Sequence, residues 1–227
     1  EHWGWERAFE LVGAIGFIWL FFWLVFYESP EKQKRLKAAE LAYINSDEDE
    51  VADKANVDKV AWFKLLGYRQ TWAFIFGKFM TDGVWWFYLF WTPAYLSSVY
   101  GMDSTQSAIP LVVLYVITLL SIIGGWLPRY FVDKKGMNPY AGRMRAMLIF
   151  AFFPLLALLA QPGGEISYWI PVLIIGVAGA AHQAWSANIF STVGDMFPKR
   201  AIATITGIGG MAGGIGSFII NKSSGVL

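Results

Sequence analysis

Two groups of polar residues sit inside stretches otherwise too apolar for water. Lys78 and Asp82 stand four residues apart in GKFMTDGVWW, and His182, Gln183, Ser186 and Asn188 interrupt an uncharged run of 29 residues from Ile166 to Gly194. On a helix the first spacing puts an ammonium and a carboxylate on one stripe. They pair with each other, with Lys78 reaching back toward the cytoplasm, or one of them meets a passing anion or proton. Imidazole and carboxamide groups donate and accept hydrogen bonds, which suits a hydroxylated ligand. At about 100° per residue His182, Gln183 and Ser186 share an arc of about 100°, with Trp185 about 60° to one side of His182. Asn188 lies roughly 120° away, so it is expected to bond a neighbouring helix. Such a cluster also serves as interhelical glue, worth about 0.6 kcal/mol per hydrogen bond.

Other chemistry finds little support. His182 has no His or Glu three or four residues away, as a helical metal site would need, and no cofactor motif is present. There is no Cys, which removes disulfides and thiol chemistry. No nucleophile, base and orienting group can be assembled for a membrane enzyme.

The elements that must position these residues are membrane helices. The chain is 56% hydrophobic and 18% aromatic, with 12 Trp in 227 residues, more than a soluble core requires. About 20 residues cross 30 Å of hydrocarbon, and six uncharged runs qualify: 11–27, 83–102 (extended back to about Thr71), 104–128, 146–164, 166–194 and 201–221. From Thr71, Lys78 lies roughly 10 Å and Asp82 roughly 16 Å into the bilayer. From Ser167, His182 and Gln183 lie roughly 22–24 Å along their helix, also near the midplane.

The basic residues give an orientation. Of 18 Lys and Arg, eight fall in 28–70, five in 129–145 and two at Lys199 and Arg200, while 100–106 and 162–167 hold none. The positive-inside rule makes the first three regions cytoplasmic and the N-terminus external. This sidedness also argues against nucleic-acid binding, since no basic reading helix forms. The opening EHWGWERAFE, with Trp3 and Trp5, suits a membrane interface rather than the basic start of a secretory leader. Residues 28–62 are polar, acidic at Asp47–Glu50, and read as a cytoplasmic linker with one short amphipathic helix around Pro30–Ile44. A solvated linker and a docking segment both fit that composition. Gly209 and Gly213, and likewise Gly210 and Gly214, have the spacing that lets helices approach closely in lipid. Pro93, Pro154 and Pro171 mark kinks or helix starts.

Several stretches carry a resemblance. GWERAF (4–9), WWFYLFWTPAYL (85–96), GGW (124–126), HQAWSANIFSTVGDMFPKRA (182–201) and TGIGGMAGGIGS (206–217) look like the anion:cation symporter family of the major facilitator superfamily. Within it they resemble bacterial hexuronate transporters, which take up glucuronate and galacturonate with protons. The resemblance implies an all-α membrane protein, a partial major facilitator-type bundle of about six transmembrane helices, mostly the C-terminal half. Residues 1–27 would be the sixth helix, 28–70 the cytoplasmic linker between halves, and 71–227 helices seven to eleven. The first five helices and the twelfth would be missing, and the chain looks like a fragment. After GGW comes LPRYFVDKKG rather than the usual Asp-Arg pair, with Asp133 as a stand-in.

The expected function is therefore proton-coupled symport of a small organic anion, most simply a hexuronate sugar acid. Its hydroxyls and ring face would meet His182, Gln183, Trp185, Ser186, Asn188, Trp86 and Tyr88. Lys78 and Asp82 would serve coupling or the pathway, and the missing half would supply a further cation. Expected partners are the sugar acid, protons, the bilayer and the missing N-terminal half. No cofactor or metal is implied, and a bacterial inner membrane is the expected location. Another organic anion, such as an aldonate or dicarboxylate, or a non-transporting receptor or scaffold, remains the alternative.

Overall fold

The structure is a computed structural model, and it describes residues 4–45 and 62–226. Trp3 and the acidic run Asp47–Glu50 lie outside the described residues. The chain forms two compact units, Glu1–Asp58 and Lys59–Leu227.

The first unit contains α1 (Trp5–Phe26), apolar around its whole circumference from Leu11 onward, and α2 (Ala38–Asn45). The amphipathic helix expected around Pro30–Ile44 is thus shorter and starts later. Residues 29–36 instead make turn-type bonds, such as Lys32 N to Ser29 O and Leu36 N to Gln33 O.

The second unit is a helical bundle. After α3 (Trp62–Leu65) comes α4 (Arg69–Tyr100), a single helix of 32 residues that passes through Pro93. Gly101 stops it in the left-handed conformation, φ 65°, where a side chain would be strained. Asp103 then caps α5 (Ser104–Thr118) in a reciprocal capping box with Gln106. A 3-10 turn over Leu119–Ile122 leads without a break into α6 (Ile123–Lys135).

That continuity corrects the boundary expected near 128. Arg129 and Lys135 belong to a helix, and the connection shrinks to Gly136–Asn138. Gly136 (φ 63°) ends α6, and the Asn138 side chain caps α7 (Pro139–Phe152), accepting from Ala141 N at 2.7 Å. Pro154 has no amide proton to donate, and there the helix tightens to 3-10 geometry over Phe153–Leu159 before α8 (Ala160–Gly164). α9 (Trp169–Met196) and α10 (Lys199–Ser224) complete the bundle.

Among the described residues, five helical stretches are long and apolar enough to cross a membrane: Glu6–Phe26, Ser104–Lys135, Pro139–Gly164, Trp169–Met196 and Lys199–Ser224. The sixth expected span, α4, has the length but not the mean hydropathy. Lys78, Asp82 and its many Trp and Tyr side chains lower it. Outward-facing Ile122, Leu119, Leu148, Leu155 and Leu158 are exposed, as lipid contact requires and water would penalise.

α9 is the hub. It touches α4, α5, α6, α7, α8 and α10, and it buries Val172, Ala178, Ala181, Ala184, Ile189 and Val193. Small residues make that crowding possible: a Cβ on Gly124 of α6 would meet the Ala184 backbone at 2.7 Å. α10 lies along α4 in the same manner. A Cβ on Gly209 would strike Phe74, one on Gly213 the Asp82 carboxylate, and one on Gly216 the Phe79 carbonyl. Gly210 and Gly214, expected to form an equivalent packing pair, face open space. Only one of the two glycine ridges is packed.

Candidate functional site

α4, α9 and α10 meet around Lys78. Its ammonium donates to Asp82 Oδ1 at 2.6 Å and sits 4.2 Å from the centre of the Phe190 ring. Lys78 is 3% exposed, so it does not reach back to the membrane surface. The side chain is held between its own helix, which supplies Asp82 one turn on, and α9, which supplies Phe190 from above. α10 can lie this close to Asp82 because position 213 has no side chain.

His182 occupies the next layer. Its Nε2 is 2.8 Å from Thr81 O, and its ring stacks on Trp85 with centroids 6.1 Å apart and planes 14° from parallel. Nδ1 is buried with no hydrogen-bond partner among the described residues. Thr81 Oγ1 donates to Gly77 O, so the helix backbone at 77–82 carries two extra polar contacts beside the ion pair.

The expected site residues separate into six settings. Lys78, Asp82 and His182 come together at the α4–α9–α10 junction. Gln183 and Ser186 are half-buried on α9, on the side that continues to Ala187 and Phe190, both exposed. Trp185 packs into the core beside Met147, Ile189 and Ala181. Asn188 is buried and commits both amide protons to packing, donating to Gly124 O at 2.7 Å and Ala184 O at 2.8 Å. Trp86 is exposed and stacks on Phe90. Tyr88 lines a separate cavity of about 560 Å3 with Phe87, Trp91, Tyr95 and Gln161. The expected ligand shell is therefore not one cavity in this conformation, and Trp85, not Trp86, is the indole that meets His182.

One polar feature was not anticipated from the sequence. Arg143 on α7 and Asp195 near the end of α9 form a bidentate pair, Nε to Oδ2 at 2.7 Å and Nη2 to Oδ1 at 3.0 Å. Arg143 also borders a pocket of about 290 Å3 shared with Arg129, Asp133 and Ser191. Residues 52 apart share no periodicity, so only the unexplained Asp in DMFPKRA hinted at a partner. Asp133 pairs with Arg129 on its own helix at 3.0 Å. No group of three or more potential metal ligands occurs among the described residues.

A bundle with an apolar exterior and an ion pair buried within it defines an all-α, multi-pass membrane protein. The chain belongs to the Major Facilitator Superfamily, whose sequence profile it matches over residues 1–220. It is similar to the hexuronate transporter of Escherichia coli strain K12, 27% identical over 228 residues, covering 98% of this chain and 51% of the relative. A galacturonate transporter of Dickeya chrysanthemi is 28% identical over 178 residues, 78% of this chain and 50% of the relative. The D-galactonate transporter of Escherichia coli O6:H1 is 26% identical over 237 residues, 98% of this chain and 53% of the relative. The chain thus spans about half the length of these curated relatives.

Proposed function

We propose that this chain is part of a secondary active transporter of a bacterial inner membrane, moving a small organic anion, a hexuronate sugar acid, together with protons. In that reading residues 1–27 correspond to the sixth helix, 28–70 to the linker between halves and 71–227 to helices seven to eleven. The first five helices would complete the pathway. The observation that carries the reading is the buried pair of Lys78 and Asp82 beside His182. Charges at membrane depth are costly and are kept where a solute or proton must pass. The half-buried amide and hydroxyl of Gln183 and Ser186 suit the hydroxyls of a sugar acid, and relatives named for hexuronate and galacturonate transport support that class.

A second substrate class, aldonates, is favoured by the D-galactonate transporter, which aligns with 98% of this chain. Competition separates the two. Labelled glucuronate bound to the purified full-length protein should be displaced by galacturonate at lower concentration than by galactonate. The reverse order would move the assignment to aldonates. Saturable binding without counterflow in proteoliposomes would mark a receptor instead.

A further inference from the structure

Of the four ion pairs among the described residues, that of Lys78 and Asp82 is the most deeply buried, with side chains 4% and 18% exposed. Its two charges cancel. The groups facing it keep the sum at zero. α9 contributes His182, close enough to feel both charges, and the ring of Phe190. α10 contributes Gly209, Gly213 and Gly216, and its Lys222 sits farther along, over Phe218. A carboxylate added to this junction would leave one uncompensated negative charge in a dry environment, which is expensive unless it is neutralised.

Phe190 covers the ammonium at 4.2 Å and is itself 37% exposed. Gln183, Ser186, Ala187 and Phe190 continue one open stripe of α9. Gln183 and Ser186, half-buried on that stripe, carry the amide and hydroxyl that a hydroxylated ligand would meet.

Resting on the transporter reading above, we propose that the carboxylate of the transported acid takes the place of Asp82 on the Lys78 ammonium, and that Asp82 leaves the pair by taking up one proton. One O–H bond forms on Asp82, the proton comes from the solvent, and Lys78 keeps all three of its own. Net charge is zero before and after. At this junction charge stays balanced when one proton enters for each carboxylate bound to Lys78, since an unpaired buried charge is costly.

The test uses the full-length transporter in proteoliposomes, with labelled glucuronate uptake and an internal pH dye read together. Wild type should move about one proton per glucuronate. Asp82→Asn should keep glucuronate counterflow, move no proton with substrate and bind glucuronate independently of pH. Lys78→Met should weaken binding by about 10- to 150-fold, and Lys78→Arg should recover most of that loss. The double variant Lys78→Met, Asp82→Asn leaves no buried charge unpaired and should melt near wild type, yet bind as weakly as Lys78→Met. Wild-type binding and accumulation by the double variant would make the pair structural and overturn the proposal. Proton movement at the wild-type ratio in Asp82→Asn would overturn it equally. Failure of the wild type to take up any sugar acid would instead overturn the transporter reading and this proposal with it.

Discussion

Gly213→Ala tests whether the α4–α10 contact is as tight as the ion pair requires. A Cβ at this position would overlap the Asp82 carboxylate and lie 2.8 Å from its Cγ and 3.1 Å from its Cβ. Overpacking of this kind costs about 1–3 kcal/mol. If the carboxylate is pushed off Lys78, a buried charge loses its partner, a change worth about 3–5 kcal/mol in full burial. Asp82 is partly exposed, so the lower part of that range applies. Replacing Gly by Ala in a helix returns about 1 kcal/mol. The expected net loss is about 3–5 kcal/mol, or a fall in melting temperature of roughly 6–20 °C at about 2–4 °C per kcal/mol. Gly214→Ala is the matched control: it makes the same chemical change on the same helix where nothing lies within 4 Å, and it should leave the melting temperature unchanged or slightly higher. Thermal unfolding of both variants in one detergent gives the comparison. Equal melting temperatures would refute the packing of Gly213 on Asp82.

Further outcomes follow from the same geometry. Arg143→Ala and Asp195→Ala should each lower stability by about 1–3 kcal/mol, since the pair is bidentate and more than two-thirds buried. The exchange Arg143→Asp, Asp195→Arg should recover part of the loss in the same melts. Asn188→Ala removes two hydrogen bonds and should cost about 1 kcal/mol while leaving sugar-acid binding unchanged. Gln183→Ala should weaken binding about 5- to 150-fold, the cost of one lost hydrogen bond to substrate, with normal melting; His182→Ala should weaken it by the same order and also lower the melting temperature, since it gives up the contacts to Thr81 O and Trp85. Because the chain has no Cys, single cysteines report topology cleanly. A cysteine at Met137 should react only from the cytoplasm and one at Asp103 only from outside.

Much of the bundle was legible because charge is so costly in lipid. The uncharged runs placed α1, α5, α9 and α10, and Asp103, Asn138, Gly101 and Gly136 are residues whose chemistry marks helix ends. The run rule misplaced the end of the 104–128 span because a helix does not stop where charge begins: Arg129 and Asp133 pair across one turn and extend it to Lys135. The four-residue spacing of Lys78 and Asp82 was enough to foresee an ion pair. Which indole meets His182 was not legible, since Trp85 and Trp86 differ only in which neighbour each helix face receives. The same holds for the two glycine pairs of α10, identical in spacing and opposite in surroundings. Arg143 and Asp195 come together only through tertiary structure.

The most direct measurement is accumulation of labelled glucuronate by proteoliposomes containing the full-length protein, with and without an imposed inward proton gradient. The account predicts concentration of glucuronate above its external level only while the gradient is present, and collapse of that accumulation by a protonophore. Equilibration to the external level regardless of the gradient, or no uptake at all, would contradict it.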